Sequence, residues 1–251
     1  MPAAPPRIVL LHGFTQTGTS WRPIAERLPP GWDVTAPDLP GHGTAGALRL
    51  DLAASAARLA EQIGSEPALV VGYSMGGRTA LRLALDHPDA VAGLVLVGAT
   101  AGIDDPGERA ARRRVDGERA DRIEAEGVEP FLDRWLAQPL FASLRPRPDD
   151  LAARRANTAA GLASSLRLAG TGTMDPPWWD ELPRIDVPAL VLWGEADTKF
   201  AALGRRLAGG IGASAETTSL VDVGHAAHLE ASDAVAGLVT GWARRTLGYE
   251  R

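Results

Sequence analysis

Short apolar runs alternate with longer helical patterns over the first hundred residues. Ile8-Val9-Leu10-Leu11 is a continuous apolar run with β-branched members, closed by His12-Gly13, and predicts a buried strand. Trp21 to Leu28 predicts a short helix, Trp32 to Ala36 a strand, and Leu50 to Ile63 an Ala/Leu-rich helix. Ala68-Leu69-Val70-Val71 predicts a second buried strand, running into Gly72-Tyr73-Ser74-Met75-Gly76-Gly77. Arg78 to Asp86 continues as a helix that His87-Pro88 closes, because proline clashes with the preceding turn and donates no backbone bond. Val91 to Val97 is a third buried strand. Strands separated by helical stretches of roughly 10–15 residues imply βαβ crossovers. The expected class is α/β, with a mostly parallel central sheet and helices on both faces.

That rhythm stops near Asp104 and resumes at Pro188. Between them the periodicity is helical throughout. Arg109 to Glu126 is strongly charged; Phe131, Leu132, Trp135 and Leu136 form one apolar face; Ala152 to Ala169 is a second amphipathic stretch. The pattern predicts a helical cap, at about 104–185, inserted into a single domain spanning 1–251. Sheet character returns at Ala189-Leu190-Val191-Leu192 and at Glu216 to Val221, before a C-terminal helix from about Ala231 to Thr246.

Composition narrows the classes. With 45% hydrophobic and 23% charged residues, the chain can bury a core, which excludes disorder. No apolar stretch reaches the ~18–20 residues of a membrane span, and the first residues show no leader pattern, so no membrane partner and a cytoplasmic setting are expected. A net charge of −5 gives no reason to expect nucleic acid. The absence of cysteine excludes disulfides, thiolate zinc sites and a thiol nucleophile. Lys199 is the only lysine among 26 basic residues, a bias that makes arginine clusters common by composition alone.

Gly72-Tyr73-Ser74-Met75-Gly76 fits G-x-S-x-G between a strand and a helix, where a sharp turn lifts a serine hydroxyl above the sheet edge. Serine is a weak nucleophile or base until a histidine takes its proton. In this arrangement the partners follow in the order Ser, acid, His, which removes His12, His42 and His87. His225, after Gly224, is preferred to His228, which starts the next helix. Asp197 is preferred as the acid because it lies further out on its loop than the fallback, Glu195. The backbone amides of Phe14 and Met75 supply the candidate oxyanion hole. Arg78, one turn beyond Ser74, supports two readings equally: an ion pair with a buried acid such as Asp38, or a clamp for a substrate carboxylate.

Leu10-Leu11-His12-Gly13-Phe14, Asp38-Leu39-Pro40-Gly41-His42-Gly43, the serine motif extended to Arg78, Gly194-Glu195-Ala196-Asp197 and Gly224-His225 together resemble the α/β-hydrolase superfamily. More narrowly, Gly-Tyr-Ser-Met-Gly-Gly-Arg and the segments around Trp135, Gln138 to Leu144, Arg155 with Asn157, and Gly170-Thr171-Gly172 resemble the MenH-type synthases of menaquinone biosynthesis. The resemblance implies an α/β-hydrolase fold and a lyase that eliminates pyruvate from an enolpyruvyl-cyclohexene carboxylate. Ser74, His225 and Asp197 would then act as a base. It also implies a small polycarboxylate substrate, held by Arg78, Arg155 and one arginine of Arg112-Arg113-Arg114; the register with Trp135 favours Arg112. Tyr73 and Trp135 would line the pocket. No cofactor or metal is expected, and the chain would be a monomer or small homo-oligomer. A carboxylesterase or enol-lactonase with the same triad is the alternative. Between residues 104 and 177 the cap carries 12 Arg against 13 Asp and Glu, so any selectivity for anions must come from placed residues.

Overall fold

The computed structural model describes residues 5–249; residues 1–4, part of the stretch read above for a leader, and 250–251 lie outside the described residues. Six strands, β1 (Arg7–Leu11), β2 (Asp33–Thr35), β3 (Ala68–Tyr73), β4 (Val91–Val97), β5 (Ala189–Gly194) and β6 (Ala215–Leu220), pair in the order β2-β1-β3-β4-β5-β6. Every pairing is parallel. The unbroken apolar runs are the three central strands β1, β3 and β4 together with β5. Their alternate side chains enter separate cores on the two faces: Val9, Leu11 and Val70 on one, Ile8, Leu10, Leu69 and Val71 on the other.

Helices α1 (Arg22–Ala25), α2 (Leu52–Ile63) and α3 (Met75–Asp86) belong to the first crossovers. The helix expected from Trp21 to Leu28 is a 3₁₀ turn, Gly18–Trp21, followed by only the single turn α1. Between β4 and β5 lie α4 (Pro106–Glu126), α5 (Val128–Leu136), α6 (Pro148–Arg155) and α7 (Ala159–Ala169), with no strand among the described residues of that stretch. The continuous stretch expected from Ala152 to Ala169 is therefore two helices. Asn157 breaks it by turning its carboxamide to Gly43 N and Thr15 O, and Thr158 caps the second helix through Gly161 N. These helices build a third apolar cluster around Ile123, Phe131 and Leu162, against which Phe14 and Trp135 pack.

After β5 comes α8 (Thr198–Ile211), which the sequence pattern did not predict because Gly204, Gly209 and Gly210 interrupt it. Gly204 is required by packing, since a Cβ there would lie 2.5 Å from the Trp193 ring; one on Gly210 would only crowd the Leu182 side-chain end at 2.6 Å. The chain ends with α9 (Ala227–Glu230) and α10 (Ser232–Leu247). No helix among the described residues is long and apolar enough to cross a membrane.

The strand order reverses between β1 and β3, since β1 leads outward to β2 while β3 leads the other way to β4. Connections leave these two strands in opposite directions, opening a crevice beyond their carboxyl ends. The loops that begin at His12 and at Ser74 meet there.

Candidate active site

Ser74 follows β3 with φ of 51° and ψ of −105°, a backbone state that side-chain-bearing residues seldom adopt. The turn is tight enough to need glycine on both sides. A Cβ on Gly72 would lie 2.4 Å from Gly76 O, and one on Gly76 2.1 Å from Leu11 O. The serine nitrogen is tied to Val97 O at 2.9 Å, and α3 starts immediately after it.

His225 reaches over from the loop after β6. Its Nε2 is 3.2 Å from Ser74 Oγ and its Nδ1 is 2.7 Å from Asp197 Oδ2. The ring packs against Phe200 at 4.2 Å and Tyr73 at 5.2 Å between centroids. Asp197 is held by its second oxygen, which caps α8 by accepting Phe200 N at 3.1 Å. Glu195 is turned away to the Ser219 hydroxyl. His228 does not approach the serine; it is buried between Trp21 and Tyr73 and bonds Gln16 Oε1 at 3.2 Å. His12 and His42 are structural. His12 accepts Leu39 N and His42 accepts Thr15 N, and burial depresses their pKa values to about 4 and about 3.

Two amides remain for an oxyanion. Gly13 N donates to Gln16 Oε1 at 2.9 Å and Thr15 N to His42 Nε2, whereas Phe14 N, between them, donates to no protein acceptor among the described residues. Met75 is the first residue of α3, where N–H groups have no acceptor within the helix. Both residues line a cavity of about 340 Å³ that also holds Tyr73, Ser74 and His225. Burial pushes the Tyr73 phenol far above its ordinary range, so it stays neutral.

The cavity wall carries Arg78, Arg112, Arg119, Arg154 and Lys199, and no carboxylate among its described lining residues. Arg78 is buried and does not pair with Asp38, which is bound instead by Gly18 N, Thr44 N and the Thr44 hydroxyl. Its Nη2 donates to Ala169 O at 2.8 Å and its Nε has no partner among the described residues. Burial, with Arg112 nearby, lowers its pKa to about 10, so it remains a cation at neutral pH. Arg112 and Arg119 are tied to one buried acid: Asp116 accepts Arg112 Nε at 2.8 Å and Arg119 Nη1 at 3.1 Å. Arg113 turns to Gly172 O and Asp175, and Arg114 to Glu118, so Arg112 is the one of the three that reaches the cavity.

Arg155 does not reach it. Its side chain is 44% exposed and pairs with Glu129, while the neighbouring Arg154, 2% exposed, faces inward. Arg154 Nε donates to Asp150 at 2.7 Å, Nη1 to the Thr15 hydroxyl at 2.7 Å, and Nη2 has no partner among the described residues. One residue along a helix is a turn of about 100°, enough to exchange inside for outside. Spacing carried a usable signal: Asp150 and Arg154 are i,i+4, and Arg112, Asp116 and Arg119 share a face at i, i+4, i+7. Trp135 lines the cavity, together with Gln16, Gln138 and Lys199, which the sequence reading did not single out as site residues.

Known proteins resemble this chain in sequence and in fold. The family model described as alpha/beta hydrolase fold matches residues 6–232. A 2-succinyl-6-hydroxy-2,4-cyclohexadiene-1-carboxylate synthase of Klebsiella pneumoniae is 34% identical, over 92% of this chain and 90% of its own. The solved structure of MenH from S. aureus superposes with a TM-score of 0.90 at 29% identity, covering 96% of this chain and 94% of that one. A malate-bound thermophilic esterase from Thermogutta terrifontis superposes at 0.81 with 25% identity, covering 97% and 91%.

Proposed function

The chain belongs to the α/β-hydrolase fold family and, within it, to the 2-succinyl-6-hydroxy-2,4-cyclohexadiene-1-carboxylate synthases. From that premise we propose that it eliminates pyruvate from an enolpyruvyl-cyclohexene carboxylate in menaquinone biosynthesis, acting in the cytoplasm on a small polycarboxylate. The observation that carries the reading is the cavity wall. Five cations line the space beside Ser74, their balancing acids Asp116 and Asp150 lie behind two arginines and one, and the substrate brings three carboxylates. Guanidinium groups with uncommitted N–H donors suit planar carboxylates in a desolvated site.

Ser74 Oγ passes its proton to His225 Nε2 and removes the proton on the carbon next to the succinyl ketone. The C–H electron pair moves into an enolate, whose oxygen receives the Phe14 and Met75 N–H groups. The enolate collapses through the ring double bond, breaking the ring C–O bond and leaving a conjugated diene. Pyruvate departs as its enolate and takes a proton back from His225, so the step is redox-neutral. Asp197 holds the imidazole and stabilises the imidazolium formed in between.

The test is pyruvate release from the menaquinone precursor, measured beside pre-steady-state kinetics with p-nitrophenyl acetate. A serine acting as a base accumulates no acyl-enzyme, so pyruvate release without an ester burst is expected. A fast stoichiometric burst with no pyruvate release would replace this reading with the carboxylesterase or enol-lactonase.

A further inference from the structure

Gln16 presents its side-chain amide to the cavity with one end already committed. Its Oε1 accepts Gly13 N–H at 2.9 Å and His228 Nε2–H at 3.2 Å, with the Ser20 hydroxyl 3.4 Å away. Gly13 N–H can only donate, so turning the carboxamide over would set donor against donor. His228 can supply the second donor because burial keeps its ring neutral, with Nδ1 left as the unpartnered acceptor. The orientation of Gln16 is therefore fixed from behind. Its Nε2 donates to no protein acceptor among the described residues, yet the residue lines the cavity with Phe14, Ser74 and Met75.

The backbone that delivers it is strained. Thr15 holds φ of 68°, unfavourable for a β-branched residue, and is fastened at three atoms. Its nitrogen donates to His42 Nε2, its carbonyl accepts Asn157 Nδ2 at 2.8 Å, and its hydroxyl accepts Arg154 Nη1 at 2.7 Å. That bend folds Gln16 back so that its nitrogen reaches Gly13 O at 3.1 Å. A residue needed only to close a turn would not require a polar side chain with a spare donor in the wall of the cavity that Ser74 also lines.

We propose that Gln16 Nε2 is a substrate-binding donor for an anionic or carbonyl oxygen, in the cavity that Phe14 and Met75 also line. A ligand with an oxygen acceptor there is favoured, and one presenting a donor or a methyl group leaves the amide unpaired, which selects against it. Which oxygen of the substrate it meets rests on the proposed elimination; the donor itself does not.

Gln16→Glu separates the two uses of the side chain. One carboxylate oxygen still accepts Gly13 N–H and His228 Nε2–H, while the other replaces the donor with an acceptor. The expected result is a kcat/KM for pyruvate release lowered about 10–100-fold, and weakened binding of succinate as a dicarboxylate probe. The melting temperature should stay within about 2 °C. Binding and turnover within about twofold of the parent protein overturn the proposal. Nuclear magnetic resonance of the unmodified protein keeps it testable if the variant does not fold. The chain has one Asn and three Gln, and succinate should shift the side-chain amide signals of Gln16 but not those of exposed Gln62. Gln16 signals unmoved at saturating succinate overturn it equally. Succinate binding that requires Gln16, with no pyruvate released, would instead reject the proposed reaction and keep the donor.

Discussion

Arg154 Nη1 donates to the Thr15 hydroxyl at 2.7 Å, joining helix α6 to the loop that carries the Phe14 amide. Through this bond one buried guanidinium does two things. It holds Thr15 in its strained conformation, and it keeps a buried Nη2 that has no protein partner among the described residues. Helix α6 is thus tied directly to the loop from Gly13 to Gln16 at the cavity wall.

Arg154→Ala should lower both stability and kcat/KM. It strands the Asp150 carboxylate, which is 5% exposed, at a cost of about 3–5 kcal/mol. Arg155→Ala, one residue away, removes a half-exposed ion pair and should change stability by no more than about 0.5 kcal/mol, with kinetics unaltered. Urea unfolding and steady-state rates for the two variants make the comparison. Equal effects would contradict the inward assignment of Arg154.

Ser74→Ala and His225→Ala should each reduce pyruvate release by several orders of magnitude, and the double variant should be little worse than either, because the groups act as a unit. His228→Ala should behave differently. It removes a buried ring packed on Tyr73 and Trp21, so the loss should appear in the melting curve and, through Gln16, in substrate binding. A His228 variant as inactive as the His225 variant, at full stability, would reverse the assignment of the base.

Arg78→Ala should lower kcat/KM by about 2–4 kcal/mol, the scale for losing a desolvated charge-assisted contact. Its protein partner is a backbone carbonyl rather than a carboxylate, and a cation in the first turn opposes the helix dipole. Stability should therefore move by no more than about 1 kcal/mol. Arg78→Lys should recover only part of the rate, since an ammonium cannot reproduce the guanidinium fork. A large drop in melting temperature with unchanged KM in the folded fraction would rule out the clamp.

Acid should destabilise the fold before its carboxylates titrate. Unfolded histidines bind a proton near pH 6.5, but burial holds folded His12 near 4 and His42 near 3. Below pH 6.5 the unfolded chain thus carries more protons than the folded one, and stability falls with pH at up to about 1.4 kcal/mol per unit for each ring. The loss levels off for His12 near pH 4 and for His42 near pH 3. Urea unfolding at pH 7.5, 6 and 5 should show this slope, and His42→Asn should lessen it by about one proton. A flat profile across that range would contradict the buried neutral rings.

Much of the fold was legible because its signals are local. A run such as Val91 to Val97 cannot be solvated and so reads as a buried strand, and Gly72, Ser74 and Gly76 mark a turn whose backbone only that spacing allows. Helix α8 was illegible because its glycines lower helix propensity, and the reason for Gly204, the Trp193 ring, lies in another element.

By itself the sequence determined the parallel α/β framework, the Ser74 turn, and the order in which Asp197 and His225 follow it. Each is set by chain periodicity, local backbone geometry or the sequence of strands. Only the tertiary structure decided that Arg154 and not Arg155 enters the cavity, that Arg112 and Arg119 share Asp116, and that Arg78 meets a carbonyl rather than Asp38. Neighbouring arginines have the same chemistry and differ only in the direction they leave the helix. That direction acquires meaning when the helix is docked, because docking leaves one guanidinium in water and buries the next in the wall of the cavity that Ser74 also lines.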